Sequence, residues 1–117
     1  MNEEIGAPPY VIAVQDHQCQ ITLTGDLTAA MISDLQPALR GVLDQGASEL
    51  VFDLPNAVML DSSGIGLLIA AANTAARRGG RVRVTNVSAD ILRLLQMMRL
   101  VDRLNASGRA EQESRRG

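Results

Sequence analysis

Leu50-Val51-Phe52-Asp53-Leu54-Pro55-Asn56-Ala57-Val58-Met59-Leu60-Asp61-Ser62-Ser63-Gly64-Ile65-Gly66-Leu67-Leu68 is the stretch on which the fold turns. Its first part, Leu50 to Phe52, is a short apolar run flanked by Glu49 and Asp53. Apolar on both faces, it reads as a central strand, ended by Pro55-Asn56. Ala57 to Leu60 then leads into the turn Asp61-Ser62-Ser63-Gly64. From Ser63 to Arg78 the pattern is helical, with Ile65, Leu68, Ile69 and Ala72 on one stripe. Ala70, Ala71, Ala75 and Ala76 thin this helix for a close approach to a sheet. Arg77 and Arg78 suit its negative end, and Gly79-Gly80 stops it. A strand followed by a helix in this way is the unit of a parallel sheet.

The flanking segments extend the pattern. Tyr10 to Val14 is apolar and β-favouring, and Gln15-Asp16-His17-Gln18 is a polar turn. Cys19, Ile21 and Leu23 alternate with Gln20, Thr22 and Thr24, the period of a half-buried strand. The pair reads as a hairpin closed by Gly25. Thr28 can cap a helix carrying Ile32, Leu35, Leu39 and Val42 on one face. Pro37 is expected to kink or shorten it. Val82 and Val84 point inward in a strand over Arg81 to Thr85. Ser88 caps a last helix, with Asp90 in its first turn and Ile91, Leu94, Leu95 and Met98 as its buried stripe. The order β-β-α-β-α-β-α predicts an α/β domain with a mixed sheet of four to five strands, largely parallel after the hairpin, with helices mainly on one face.

The chain has 117 residues, the size of one domain. Residues 1–9 are expected to be a flexible N-terminus, 10–105 the domain, and 106–117 a polar, disordered tail. Apolar residues make up 46% of the chain, but only one Tyr, one Phe and no Trp are present. Bases would find few aromatic platforms to stack on, and the net charge of −2 offers no phosphate-binding surface, so nucleic acid is not an expected partner. The single cysteine, Cys19, cannot form an internal disulfide, which favours a reducing compartment. Met1 to Pro9 lacks the basic and apolar regions of a signal peptide. Gly64 to Ala72 is far shorter than the ~20 residues of a membrane span. A cytoplasmic protein without direct membrane insertion is the expectation.

Enzyme chemistry finds little apparatus. The segment is not Gly-x-Ser-x-Gly, because position 60 is Leu, and the single histidine, His17, falls in a hairpin turn. Gly64-x-Gly66 lacks the third glycine of a dinucleotide fingerprint, and without a single lysine there is no P-loop. One Cys and one His give no metal-ligand spacing, and no cofactor is expected. Met97-Met98 reads as packing at the rim of the core. The turn at Asp61 therefore holds the interest. Two serines meet a helix N-terminus, where unpaired N–H groups and the dipole favour an anion. Gly64 and Gly66 fall in the first helical turn, at about 1 kcal/mol each relative to Ala. That cost is tolerable where another backbone comes close. On residue types alone the turn also reads as a plain N-cap.

Leu60 to Leu68 resembles the signature of the STAS domain (sulfate transporter and anti-sigma factor antagonist), in the form found in stand-alone bacterial anti-sigma factor antagonists. Leu23-Thr24-Gly25-Asp26-Leu27 is similar to the family's Leu-x-Gly-x-Leu segment, Leu50 to Leu54 to its central strand, and Arg78-Gly79-Gly80 with Val82 and Val84 to its fourth strand. Leu92 to Leu100 resembles its third helix. The resemblance runs from about Val11 to Val101. It implies a protein that binds an anti-sigma factor with serine kinase activity, is released when that partner phosphorylates Ser62, and is reset by a serine phosphatase. It also implies that Asp61, Ser63, Gly64, Ile65, Gly66, Asp26 and Thr28 surround the partner contact. The family often has Asp where this chain has Thr28, and usually ends with a fifth strand and an amphipathic fourth helix. Here Val101 to Asn105 offers only a brief segment, so Leu95, Met97, Met98 and Leu100 are expected to be partly exposed. The same fold also serves as a subunit of membrane lipid-transport ATPase complexes and as a scaffold in stress-sensing assemblies, which is the alternative reading.

Overall fold

A computed structural model describes residues 9–109. Nearly all of the expected N-terminal segment lies outside that range, as does the tail beyond Arg109. Strands β1 (Tyr10–Gln15) and β2 (Gln18–Leu23) pair antiparallel, and Asp16, at φ 57°, makes the tight turn between them. Helix α1 (Ala29–Asp44) leads to β3 (Glu49–Asp53), α2 (Ser62–Arg77) to β4 (Arg81–Val87), and α3 (Ala89–Met97) with the single turn α4 (Val101–Leu104) to β5 (Ala106–Gly108). The sheet order is β1-β2-β3-β4-β5, with every pair after the hairpin parallel. Each crossover therefore advances one strand in the same direction. With the usual right hand of such connections, all the helices fall on one face.

Burial follows that layering. Cys19, Ile21, Leu23, Leu50, Phe52, Val82 and Val84 are buried beneath the helices. Gln20, Arg81 and Arg83 alternate with them and are exposed on the opposite face. There Arg81 pairs with Glu49 at 3.4 Å, and Val51 is buried in the same row as Gln20 and Arg83. Burial raises the pKa of the Cys19 thiol, which keeps it protonated and inert. Helix α2 buries Ile65, Leu67, Leu68, Ala71, Ala72 and Ala75. At its far end Gly80 passes so close to the Ser48 backbone that a Cβ would lie 2.0 Å from that carbonyl oxygen.

Four expectations need correction. Pro37 does not shorten helix α1, which runs through it as one 16-residue element. The proline is on the exposed side, and the amphipathic stripe that buries Met31, Ile32, Leu35 and Leu39 outweighs the lost hydrogen bond. Met98 leaves the buried stripe, because α3 stops at Met97; at 46% exposed, beside Met97 at 76%, it is exposed as the short C-terminal segment led one to expect. Leu95 and Leu100 are buried instead of exposed: they join Leu104 in the core on the side that α4 and β5 close. Lastly, Ala106 to Arg109 is ordered structure, not tail. Residues 106–108 form the fifth strand against β4.

Arg109 fixes that closing strand. Its Nε donates to the Asn86 carbonyl at 2.8 Å, and its Nη2 to the carbonyls of Leu54 at 3.0 Å and Ala57 at 3.1 Å. These carbonyls lie at the carboxyl ends of β3 and β4, just before the segment that enters α2. Arg109→Ala removes three hydrogen bonds to part-buried carbonyls. It is expected to lower stability by about 1–3 kcal/mol, read as a lower urea midpoint at unchanged slope.

Candidate functional site

At the carboxyl edge of the sheet, the loop from β2 to α1 (residues 24–28) lies beside the loop from β3 to α2 (residues 54–61). Leu27 and Leu60 form a parallel bridge between them. Each loop then contributes one carboxylate to the other's backbone. Asp26 Oδ1 accepts the N–H of Val58 at 2.7 Å and of Met59 at 3.2 Å. Asp61 Oδ2 accepts the N–H of Ala29, the first residue of α1, at 3.2 Å. The other Asp61 oxygen accepts from Gly64 at 2.9 Å and so caps α2. One side chain thus serves the amino ends of two 16-residue helices, where partial positive charge gathers.

The capping question is thereby answered within the turn. Asp61 is the N-cap, and α2 starts at Ser62, one residue before the sequence pattern placed it. Ser62 and Ser63 are both exposed, and neither hydroxyl is hydrogen-bonded among the described residues. Thr28 occupies the N-cap position of α1, but its side chain caps nothing; the Ala29 N–H goes to Asp61 instead.

The remaining residues separate into inner and outer sets. Gly64 is buried, and a Cβ there would lie 2.5 Å from the Leu27 carbonyl oxygen. Its missing side chain accommodates this chain's own β2–α1 loop. Ile65 is buried under the same loop system and faces the core. Gly66 is exposed, with open space where a Cβ would stand. The outward set is therefore Ser62, Ser63 and Gly66, with the partly buried Asp26, Thr28 and Asp61 behind it. Composition and spacing did not single out Val58 and Met59. They stand at the same edge, 68% and 52% exposed. Arg109 was likewise missed as a contributor, since it reaches the site only through the fold. No group of His, Cys, Asp and Glu among the described residues is placed to hold a metal, and no described helix is long and apolar enough to cross a membrane.

Two substitutions separate the internal roles. Asp61→Ala removes a cap and an interloop bond together and is expected to cost about 1–3 kcal/mol. Gly64→Ala forces the Leu27 backbone to move and is expected to cost a similar amount. Asp61→Asn, which keeps an acceptor oxygen, is expected to lose less. Chemical denaturation of the three variants checks the order; an Asp61→Ala variant as stable as the parent would contradict this geometry.

Known proteins share the family pattern of this sequence and its fold. A family model described as Mlab, STAS domain matches residues 11–110. The anti-sigma-B factor antagonist of Bacillus subtilis (strain 168) is 24% identical over 96 residues, covering 82% of this chain and 87% of that protein. Among solved structures, the anti-sigma factor antagonist SpoIIAA in its unphosphorylated form superposes with a TM-score of 0.65 at 21% identity, over 74% of this chain and 81% of that one. SpoIIAA of Bacillus in the phosphorylated form gives 0.68 at 20% identity, over 92% and 99%. The crystal structure of a putative anti-sigma factor antagonist from Thermotoga maritima gives 0.75 at 15% identity, over 91% and 92%. The five-stranded mixed sheet is the fold these structures share with this chain, and the family match extends through β5 to the residue after Arg109. The chain belongs to the STAS domain family.

Proposed function

We propose that this protein is an anti-sigma factor antagonist of the cytoplasm, switched by phosphorylation of Ser62. Unphosphorylated, it binds an anti-sigma factor that is also a serine kinase. Phosphorylated, it is released, and a serine phosphatase restores it. The observation that carries this reading is Ser62 itself: an exposed hydroxyl without a hydrogen-bond partner among the described residues, at the first position of a long helix, directly after an aspartate already engaged as the cap. A serine needed for capping would be poorly available to a kinase. This one is spared by Asp61. The roles of the relatives, and the two solved states of SpoIIAA, support the same reading.

The chemistry is a phosphoryl transfer. The terminal phosphoryl group of a nucleoside triphosphate passes to Ser62 Oγ, the hydroxyl proton is lost, and the nucleoside diphosphate remains in the partner's site. The product carries about −1.5 to −2 charges at neutral pH. It sits beside the Asp61 carboxylate and facing the remaining diphosphate, so the closed interface is opposed by like-charge repulsion and by the cost of stripping water from a dianion. The amino end of α2 can carry that charge without refolding. The switch then works through the surface, with the core unchanged.

Incubation with the cognate anti-sigma factor and ATP, followed by mass spectrometry, is expected to place one phosphate on Ser62. Ser62→Ala is expected to bind that partner constitutively, and Ser62→Asp to bind it weakly. Normal regulation of binding in both variants would overturn the proposal. Phosphate nowhere on the chain would favour the alternative, a subunit of a membrane lipid-transport ATPase complex. Gly66→Ala gives an independent check. It adds helix propensity and is expected to stabilise the free protein by up to about 1 kcal/mol, while weakening the partner contact that the bare backbone at this position admits.

A further inference from the structure

Val58 and Met59 are consecutive apolar side chains, 68% and 52% exposed, four and three positions before Ser62. Single exposed apolar residues are ordinary. These two differ in how firmly their backbone is held. Both N–H groups are bound by Asp26 Oδ1. The carbonyl of the preceding Ala57 is bound by Arg109, and the following Leu60 is buried and bridged to Leu27. The segment is thus fixed on both sides while its side chains are turned to solvent. Holding two large apolar groups in water gains the isolated domain nothing. For a partner, it removes most of the ordering cost that a free loop would impose on binding.

We infer that Val58 and Met59 are the apolar anchors by which the anti-sigma factor holds this protein, an inference that rests on the reading of the Ser62 face as the docking surface. The pair is continuous with Ser62 along the chain. Its setting describes the complementary surface as well. Asp26 and Asp61 flank the pair, both only partly buried, and neither is in an ion pair with a cation among the described residues. The matching surface is therefore an apolar pocket with a basic rim over these carboxylates. The same charges act against a second copy of this chain. A two-fold contact through Met59 would bring Asp26 and Asp61 of both copies to one interface. A flexible, polarizable methionine suits a pocket that must also let go. A hydrated phosphate dianion placed at the edge of the anchor would keep water where Met59 must lose it, which links the anchor to the switch.

The test measures affinity for the purified cognate anti-sigma factor by calorimetry at fixed salt. It uses the unphosphorylated protein, the Ser62-phosphorylated protein, and the unphosphorylated variants Val58→Ser, Met59→Ser and Met59→Leu. Met59→Ser is expected to weaken binding at least about tenfold and Val58→Ser by less, while Met59→Leu stays close to the parent. Both positions are exposed, so thermal midpoints are expected to be unchanged. Parental affinity in both serine variants, with phosphorylation still releasing the parent, overturns the anchor and leaves the switch standing. Loss of binding in Met59→Ser, with the parent indifferent to phosphorylation, keeps the anchor and discards the switch at Ser62. Sedimentation velocity covers the other occupant: a dimer of the parent that Met59→Ser abolishes, without loss of anti-sigma factor affinity, overturns the proposal.

Discussion

The carboxylate of Asp61 accepts the N–H of Gly64 with one oxygen and the N–H of Ala29 with the other, and the upper edge of the domain is arranged around it. Two long helices begin within reach of a single side chain. Their dipoles would otherwise place two partial positive charges side by side with unpaired donors. The shared carboxylate answers both, and it requires the β2–α1 loop to lie directly against the first turn of α2. From that follow the glycine at position 64, whose place a Cβ would contest with the Leu27 carbonyl, and the bridge between Leu27 and Leu60. Asp26 closes the pair of loops from the other direction. The hydroxyls of the serines that follow Asp61 are left unbonded among the described residues, as the proposed modification requires.

Much of this was legible in the residues, for a definable reason. The period-two alternation of Cys19 to Thr24 and the apolar run of Leu50 to Phe52 report burial directly, and burial sets the sheet. An aspartate three positions before a glycine at the start of an apolar stripe is a local pattern, so the cap at Asp61 and the tight approach at Gly64 could be anticipated. What escaped lies in partners distant along the chain. Asp26 is close to the site in sequence, but the two amides it binds are more than 30 residues away. Likewise β5 is three small residues, Ala106-Ser107-Gly108, and what holds it is backbone pairing and the guanidinium of Arg109, to which hydrophobic periodicity is blind. Once β5 and α4 are in place, Leu95 and Leu100 have cover that a chain ending at Asn105 would not give them.

The division of labour at the site is correspondingly clear. Gly64 and Ile65, grouped with the contact residues by resemblance, belong to the interior. The outward set is smaller, and it mixes two chemistries: hydroxyls at a helix end, and apolar side chains on a clamped loop. On the proposed reading, such a surface is held by one and released through the other, so that affinity and regulation are tuned by different residues.

The reciprocal bonds at this edge have a further consequence for what is recognised. Asp26 to Val58 and Asp61 to Ala29 each close a loop of about 30 residues, and closure of that kind is an entropic debt met only when the intervening helix and strand have packed. The nonapeptide around Ser62 is present in any copy of the chain, folded or not. The surface made from two converging loops exists only after folding. Whatever reads this site reads a conformational epitope rather than a linear one, and in doing so it counts only the intact molecules in the pool.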